Sequence, residues 1–357
     1  MNKADILFFI EDPGAANMLM DLPKKIEKRG KVTKVLSINF GAKFLKEHSI
    51  HCEELKGNES AEQILEKYQP SLIITGTSEN KDSIGLKLIE SAKNRKILTV
   101  AMIDMYCNAP LRFKGKSDNP LHYAPNWLIV TDKRTKEEFI RLGFVSKRIK
   151  ILGHPQIDRI RESKKYFLKK FSIVNKKRPR WLFISEGISL LNPMISRISD
   201  DYTLKGRGDT EWRTGIILEE ILDVVKSINP TPNLVVRPHP KIKREDFNKW
   251  KDEISFDEIL DPLESIWFSD LVLGMSSNLL VQAAALGRPV LSVLPKESEK
   301  NFLTEIHNGF IPSVFNKDKL REYLTKDLKF LSANNLFNSK KNYNVNEKIL
   351  NFLFSNF

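Results

Sequence analysis

Five short apolar runs punctuate the first half of the chain: ILFFI at 6–10, VTKVLSI at 32–38, SLIIT at 71–75, ILTVAMI at 97–103 and WLIVT at 127–131. They are rich in β-branched residues and nearly unbroken, the signature of strands buried on both faces. Between them, charged and apolar residues recur at helical spacing, as from Met18 to Lys28 and from Asp82 to Ser91. Strands alternating with helices predict βαβ units and a parallel sheet. The pattern restarts in the second half with WLFIS at 181–185, NLVVR at 233–237, LVLGM at 271–275 and VLSVL at 290–294. Helical segments from Glu211 to Ser227 and from Asn278 to Leu286 separate these runs. Asp261-Pro262-Leu263-Glu264 reads as a capping box, with an aspartate cap, a proline at the first helical position and a glutamate at the third. Lys340 to Phe354 has the pattern of a last helix.

A chain of 357 residues exceeds what one hydrophobic core usually supports, so two domains are expected. The pattern places an N-terminal Rossmann-like domain at 1–155, a linker helix at 156–180, a C-terminal Rossmann-like domain at 181–335 and a helix at 336–357 that, by analogy, crosses back to the first domain. The linker, RIRESKKYFLKKFSIVNKKRPR from Arg159 to Arg180, reads as a connecting helix with a solvated basic side or as an amphipathic helix lying on a surface. A formal net charge of +13 would attract phosphates, nucleic acid or an anionic membrane face. No base-stacking module accompanies the basic stretch, so nucleic acid is not expected as a partner. The opening residues are too short and wrongly flanked for a signal peptide, and no apolar run reaches the ~18 residues that span a bilayer. Cys52 and Cys107 stand far apart without CxxC spacing, which suits a reducing cytoplasm. A cytoplasmic protein is therefore expected, with peripheral contact at the inner membrane face through Arg159–Arg180 left open.

In open parallel sheets ligands lie beyond the carboxyl ends of the strands, which directs attention to five segments. Glu11-Asp12-Pro13-Gly14-Ala15-Ala16-Asn17 follows the first strand: Gly14 shapes a tight turn, and Asp12 is a candidate general base or simply a helix cap. Asp104-Met105-Tyr106 follows the strand at 97–103, with Arg112 and His122 beyond it, and offers an acid and a phenol to a sugar or polyol hydroxyl. Gly153-His154-Pro155 reads as a fixed hinge. Ser185-Glu186-Gly187 and Arg237-Pro238-His239-Pro240 each close a strand, and the proline-flanked Arg237 and His239 form a rigid group facing phosphate. Ser276-Ser277-Asn278 opens a helix that carries Gln282, a strand–hydroxyl–helix arrangement suited to cradling phosphate. There is no GxxxxGK[ST], HExxH or GxSxG, and no metal-binding cluster.

The last two segments resemble those of known proteins. RPHPK at 237–241 with SDLVLGMSSNLLVQAAALGRPVLSV at 269–293 is similar to the nucleotide-diphosphate segments of CDP-glycerol glycerophosphotransferases and capsule-polymer transferases. ILGHPQID at 151–158 resembles the interdomain segment of lipid A disaccharide synthase and of nonhydrolysing UDP-N-acetylglucosamine 2-epimerases. The resemblance implies an α/β protein of the GT-B fold, two Rossmann-like domains with parallel sheets facing across a cleft. It implies that Arg237 and His239 face the donor phosphates and that Ser276 and Ser277 bind phosphate oxygens, with Gln282 standing where many relatives place a ribose-binding glutamate; Ser185, Glu186 and Gly187, at a strand end, are counted with them as nucleotide-binding candidates. It also implies no obligatory metal and no cofactor other than the nucleotide-linked substrate. The leading expectation is a transferase of surface-polysaccharide assembly that moves a sugar or polyol-phosphate unit from a nucleotide-activated donor to a glycan or lipid-linked acceptor. Asp12, Asp104 and His239 are its candidate catalytic groups, with Gly14, Asn17 and Tyr106 on the acceptor side. A nucleotide-sugar epimerase or hydrolase of the same fold and a noncatalytic nucleotide-binding protein are the alternatives.

Overall fold

A computed structural model describes residues 3–171, 178–187, 199–240, 242–326, 328–331 and 344–357. Residues 172–177 of the basic linker, Lys241 of the RPHPK segment and positions 340–343 of the expected last helix lie outside the described residues. The chain divides into two compact units, Met1–Asp158 together with Asn342–Phe357, and Arg159–Lys341.

The first unit is built on the strands β1 (Ile6–Ile10), β2 (Thr33–Ser37), β3 (Glu53–Glu54), β4 (Leu72–Thr75), β5 (Leu98–Ile103), β6 (Trp127–Val130) and β7 (Ile149–Ile151). All pairings are parallel and the order is β3-β2-β1-β4-β5-β6-β7. Phe8 in β1 stands opposite Val35 on one side and Ile74 on the other, and every residue of β1 is buried, as its unbroken apolar run requires. The order reverses between β1 and β4, so their carboxyl ends define the switch point where such sheets bind ligands.

Two helices, Pro13–Leu19 and Leu22–Glu27, replace the single helix expected from Met18 to Lys28. Pro23 has no N–H to give to the preceding turn, so the helix restarts with proline in its first turn. The helix Val345–Asn356 belongs to this unit. Its Val345, Ile349, Leu350 and Leu353 pack among Ile6, Phe8 and Met18, and Asn346 is held by its backbone and side-chain N–H groups to Asp158 at 2.8 and 3.0 Å.

The second unit carries β8 (Arg180–Ile184), β9 (Asn233–Arg237), β10 (Ser255–Phe256), β11 (Leu271–Gly274), β12 (Val290–Val293) and β13 (Ser313–Val314), parallel in the order β10-β9-β8-β11-β12-β13. The reversal here lies between β8 and β11, which brings Ser185-Glu186 beside Met275-Ser276. The helix Asn278–Leu286 follows, capped by Ser277 at its start and closed by Gly287 at φ 79°, a left-handed cap that favours glycine. Of the expected box at Asp261, the half in which the aspartate accepts the Glu264 N–H is present, at 2.8 Å. The helix Gln156–Lys170 buries Ile160 and Phe167, and the Phe167 ring packs at a tilt against Trp267 with ring centroids 5.6 Å apart.

Candidate functional site

At the switch point of the first unit, Asp12 caps the helix Pro13–Leu19, accepting the Ala15 N–H at 2.9 Å. Burial pushes its carboxyl above the usual aspartate range; the carboxylates of Asp104 and Glu11 push the same way, while the Ala15 N–H and Arg112 oppose. Asp104, at the end of β5, lies 3.0 Å from Arg112 Nη1, an ion pair in which the carboxylate oxygen forms no hydrogen bond. Arg112 is buried and directs its N–H groups to Thr77 Oγ1 at 2.8 Å and to the Cys107 carbonyl at 3.1 and 3.3 Å. Gly14 lets the acids converge: a Cβ there would stand 2.5 Å from Asp104 Oδ2 and 3.4 Å from Asp12 Oδ1. Glu11 is buried and accepts from Asn80 Nδ2 at 2.7 Å and from the Ser83 hydroxyl. Glu11, Thr77, Ser83 and Arg112 line a recess with Phe9 and Phe113 that has room for about one water molecule.

The other expected groups of this unit fall around that centre. Tyr106 lies under the Arg134 guanidinium, 3.7 Å from ring centroid to carbon, and burial followed by the Cys107 thiol raises its phenol well above the usual tyrosine range. Asn17 is half-buried within the helix Pro13–Leu19. His122 is exposed, its ring edge-on to Tyr123 at 4.5 Å. His154 Nδ1 takes the Gln156 N–H at 3.2 Å, which fixes the entry to the helix Gln156–Lys170.

In the second unit, Ser185 Oγ accepts the His239 backbone N–H at 2.7 Å. The His239 ring rests on Gly187, where a Cβ would come within 2.6 Å of Nδ1. Arg237, expected to face phosphate, directs its guanidinium to Asp257 at 2.6 Å and to the carbonyls of Ile259 and Leu260 at 2.8 and 2.7 Å. Asp257 also accepts from Arg180 at 2.9 Å, so the two arginines stitch the carboxylate into the sheet edge.

The seryl pair does two different jobs. Ser277 accepts the Leu279 N–H at 3.3 Å as the helix cap. Ser276 donates its backbone N–H and, at 3.1 Å, its hydroxyl to Glu186 Oε1, so a carboxylate of the chain itself sits against the helix N-terminus. Glu186 is anchored by Arg213 Nη1 at 2.7 Å, and Arg213 Nε donates to Glu299 Oε2 at 3.0 Å. All three side chains are buried, Arg213 at 2% exposure. Burial opposes the charge on Arg213, but the two carboxylates outweigh it and hold the guanidinium above its usual range. Gln282 is buried on the helix Asn278–Leu286.

Arg213, Glu299, Asp257, Arg180 and Arg134 escaped the sequence reading. Periodicity marks the helix around Arg213, but nothing local tells that its charge is buried or that its partner lies 86 residues away. Among the described residues no group of three or more His, Cys, Asp or Glu is arranged to hold a metal ion, and no helix is long and apolar enough to cross a membrane.

Two parallel sheets with helices, each with a ligand-type switch point, make this a two-domain α/β protein of the GT-B fold. UDP-N-acetylglucosamine 2-epimerase of Neisseria meningitidis, solved with UDP-N-acetylglucosamine, superposes with a TM-score of 0.67 at 15% identity, over 98% of this chain and 100% of that one. The 2-epimerase of Methanocaldococcus jannaschii gives 0.65 at 15% identity, over 98% and 99% of the two chains. HepE of Anabaena, solved with UDP and glucose, gives 0.61 at 13% identity, over 99% and 100%. No protein-family model matches the chain, and no curated protein matches it in sequence. At these identities the likeness is one of fold, and it falls on the 2-epimerase side of the resemblance read from the sequence.

Proposed function

We propose that the chain is an enzyme acting on a UDP-linked sugar, and that its reaction is of the epimerase or hydrolase kind, needing no separate acceptor. The observation that carries this reading is the pair Asp12 and Asp104, gathered across Gly14 in unlike surroundings. Asp12 is half-buried and holds a proton more readily than an ordinary aspartate, whereas Asp104 faces a guanidinium. Two carboxylates in unlike environments can divide acid and base roles. Inversion at a ring carbon needs one group to take a proton from one face and another to return a proton to the opposite face; hydrolysis needs a base for the attacking water. Asp104 is assigned as base and Asp12 as acid.

For the nucleotide, the start of the helix Asn278–Leu286 and the His239 ring are the assigned phosphate contacts, with Gln282 for a ribose hydroxyl. Because Glu186 takes the donors of Ser276, the Ser277 hydroxyl proton is the seryl donor assigned to the ligand. This departs from the leading sequence expectation of a transferase. The solved neighbours at the head of the comparison are UDP-N-acetylglucosamine 2-epimerases, which supports the alternative instead. The transferase remains the second reading on the strength of the segments at 237–241 and 269–293.

Incubation with UDP-N-acetylglucosamine and with other UDP-linked sugars, neutral and acidic, followed by proton NMR of the sugar, separates the readings. A 2-epimer or free sugar formed without acceptor is expected, with turnover lost in Asp104→Asn while UDP binding is retained. Turnover that begins only when a glycan or lipid-linked acceptor is added would establish the transferase. Nucleotide binding without any turnover would mark a noncatalytic protein, and unchanged turnover in both Asp12→Asn and Asp104→Asn would remove the assigned acid and base. Peripheral contact with an anionic membrane belongs to the same proposal: the helix Gln156–Lys170 exposes Tyr166 and Leu168 beside Lys165 and Lys169. Flotation with anionic vesicles at low salt tests it, and absence of binding there dismisses it.

A further inference from the structure

Among the described residues, no acidic side chain forms an ion pair with Arg134. It stands in the first turn of the helix Lys133–Arg141, which follows β6, while Tyr106 follows β5. β5 and β6 are parallel neighbours, so both residues emerge at the same sheet edge as Asp104. The guanidinium carbon lies 3.7 Å from the Tyr106 ring centroid, stacked on its face. A guanidinium stacked in this way keeps its N–H groups free to bond at its rim. Arg134 Nη1 and the Tyr106 hydroxyl are both shut off from solvent, and among the described residues neither has a hydrogen-bond partner of good geometry, the Cys107 thiol being the polar neighbour of the phenol.

The nearby acids are committed elsewhere. Asp132 gives one oxygen to the Thr135 N–H at 2.8 Å and the other to the hydroxyls of Thr131 and Thr135 at 2.7 and 3.1 Å. Asp104 is paired with Arg112. Sheltered polar groups are seldom left without partners, and two orphaned donors side by side, one cationic, suit a planar oxyanion that accepts from both.

We infer that Arg134 and Tyr106 seat a carboxylate carried by the sugar, so that the substrate is a nucleotide-linked uronic acid. This rests on the nucleotide-sugar reading, which places Asp104, two residues before Tyr106, at the reacting sugar. Arg112 does not compete for that carboxylate, because its N–H groups go to Thr77 and Cys107 and its charge is paired with Asp104.

Calorimetric titration of the full chain decides the matter. The probes are UDP, UDP-glucose with UDP-glucuronate, and the matching 2-acetamido pair. In each pair the sugars differ only by the carboxylate. The wild type is expected to bind the uronate of at least one pair about tenfold or more tighter than its neutral partner, a difference of about 1.4 kcal/mol. In Arg134→Gln that preference should collapse while affinity for UDP and for the neutral sugar holds. Tyr106→Phe, which keeps the stacking and removes only the hydroxyl, should lose part of it. Equal binding of neutral and acidic sugars by the wild type, or a preference that survives Arg134→Gln, overturns the carboxylate seat and leaves the nucleotide-sugar reading standing. Failure of UDP and of all four sugars to bind overturns that reading, and the seat with it. Comparison of melting temperatures without ligand shows whether either variant is folded, and if Arg134→Gln is not, Tyr106→Phe alone carries the test.

Discussion

Replacing Arg213 by methionine probes the most deeply buried ionic cluster in the second unit. The guanidinium neutralises Glu186 and Glu299, and all three side chains are buried, with Glu299 at 1% exposure. Removing only the cation leaves two carboxylates buried without it, a change that costs about 3–5 kcal/mol in comparable sites. In a unit of roughly 180 residues, each kcal/mol corresponds to about 2–4 °C of melting temperature, so a drop of about 6–20 °C is expected. Urea denaturation followed by tryptophan fluorescence suits the question, because Trp181, Trp212, Trp250 and Trp267 all belong to this unit and only Trp127 lies in the other. A second variant sharpens it. Glu186→Leu with Arg213→Met and Glu299→Leu removes the whole charge cluster and should recover much of the loss, though not all. The Ser276 N–H would then lack its acceptor, at a cost of about 1–3 kcal/mol. A loss below about 1 kcal/mol in Arg213→Met would refute the view that this ion chain fixes the start of the helix Asn278–Leu286.

Asp12→Asn preserves the helix cap and removes a carboxyl that holds its proton more tightly when folded than when unfolded. The native state therefore binds more protons between the ordinary aspartate range and the raised value, and wild-type stability falls as pH rises through that window. The variant should gain stability relative to wild type at pH 7 and lose that gain in acid, as followed by melting temperature against pH. Gly187→Ala would force its new methyl into the His239 ring, so UDP affinity should fall about tenfold, measured by calorimetry, with little change in overall fold. Gly14→Ala pushes the Asp104 carboxylate away from Asp12 and should lower kcat about 100-fold with KM little changed, by steady-state kinetics.

Long apolar strands were legible from the sequence because burial on both faces leaves an unbroken run, and β1 and β9 coincide with ILFFI and NLVVR. The edge strands β3, β10 and β13, two residues each, were not, since so short a run carries no period. The turn at Asp12 to Gly14 and the groups around Ser185, His239 and Ser276 were found by inspecting strand ends, which needs only topology. What those groups touch was hidden. Arg237 reads as a free cation in RPHP, yet its partners are Asp257 and two carbonyls about twenty residues on. Ser276 reads as a phosphate donor, yet Glu186, 90 residues earlier, takes its N–H. Such pairings are set by how the elements stack, and a single sequence carries no record of them.

The helix Val345–Asn356 completes the apolar interior beneath β1, yet it leaves the ribosome only after all of residues 159–341. Synthesis order and assembly order therefore differ. While residues 159–341 emerge, the amino-terminal sheet waits with Ile6, Phe8 and Met18 lacking their final cover. The intervening unit is in effect an insertion, free to fold while its host is unfinished. A fragment ending at Asp158 would keep that bare apolar strip permanently, so the amino-terminal half becomes a soluble, separable piece only when 342–357 is grafted back onto it.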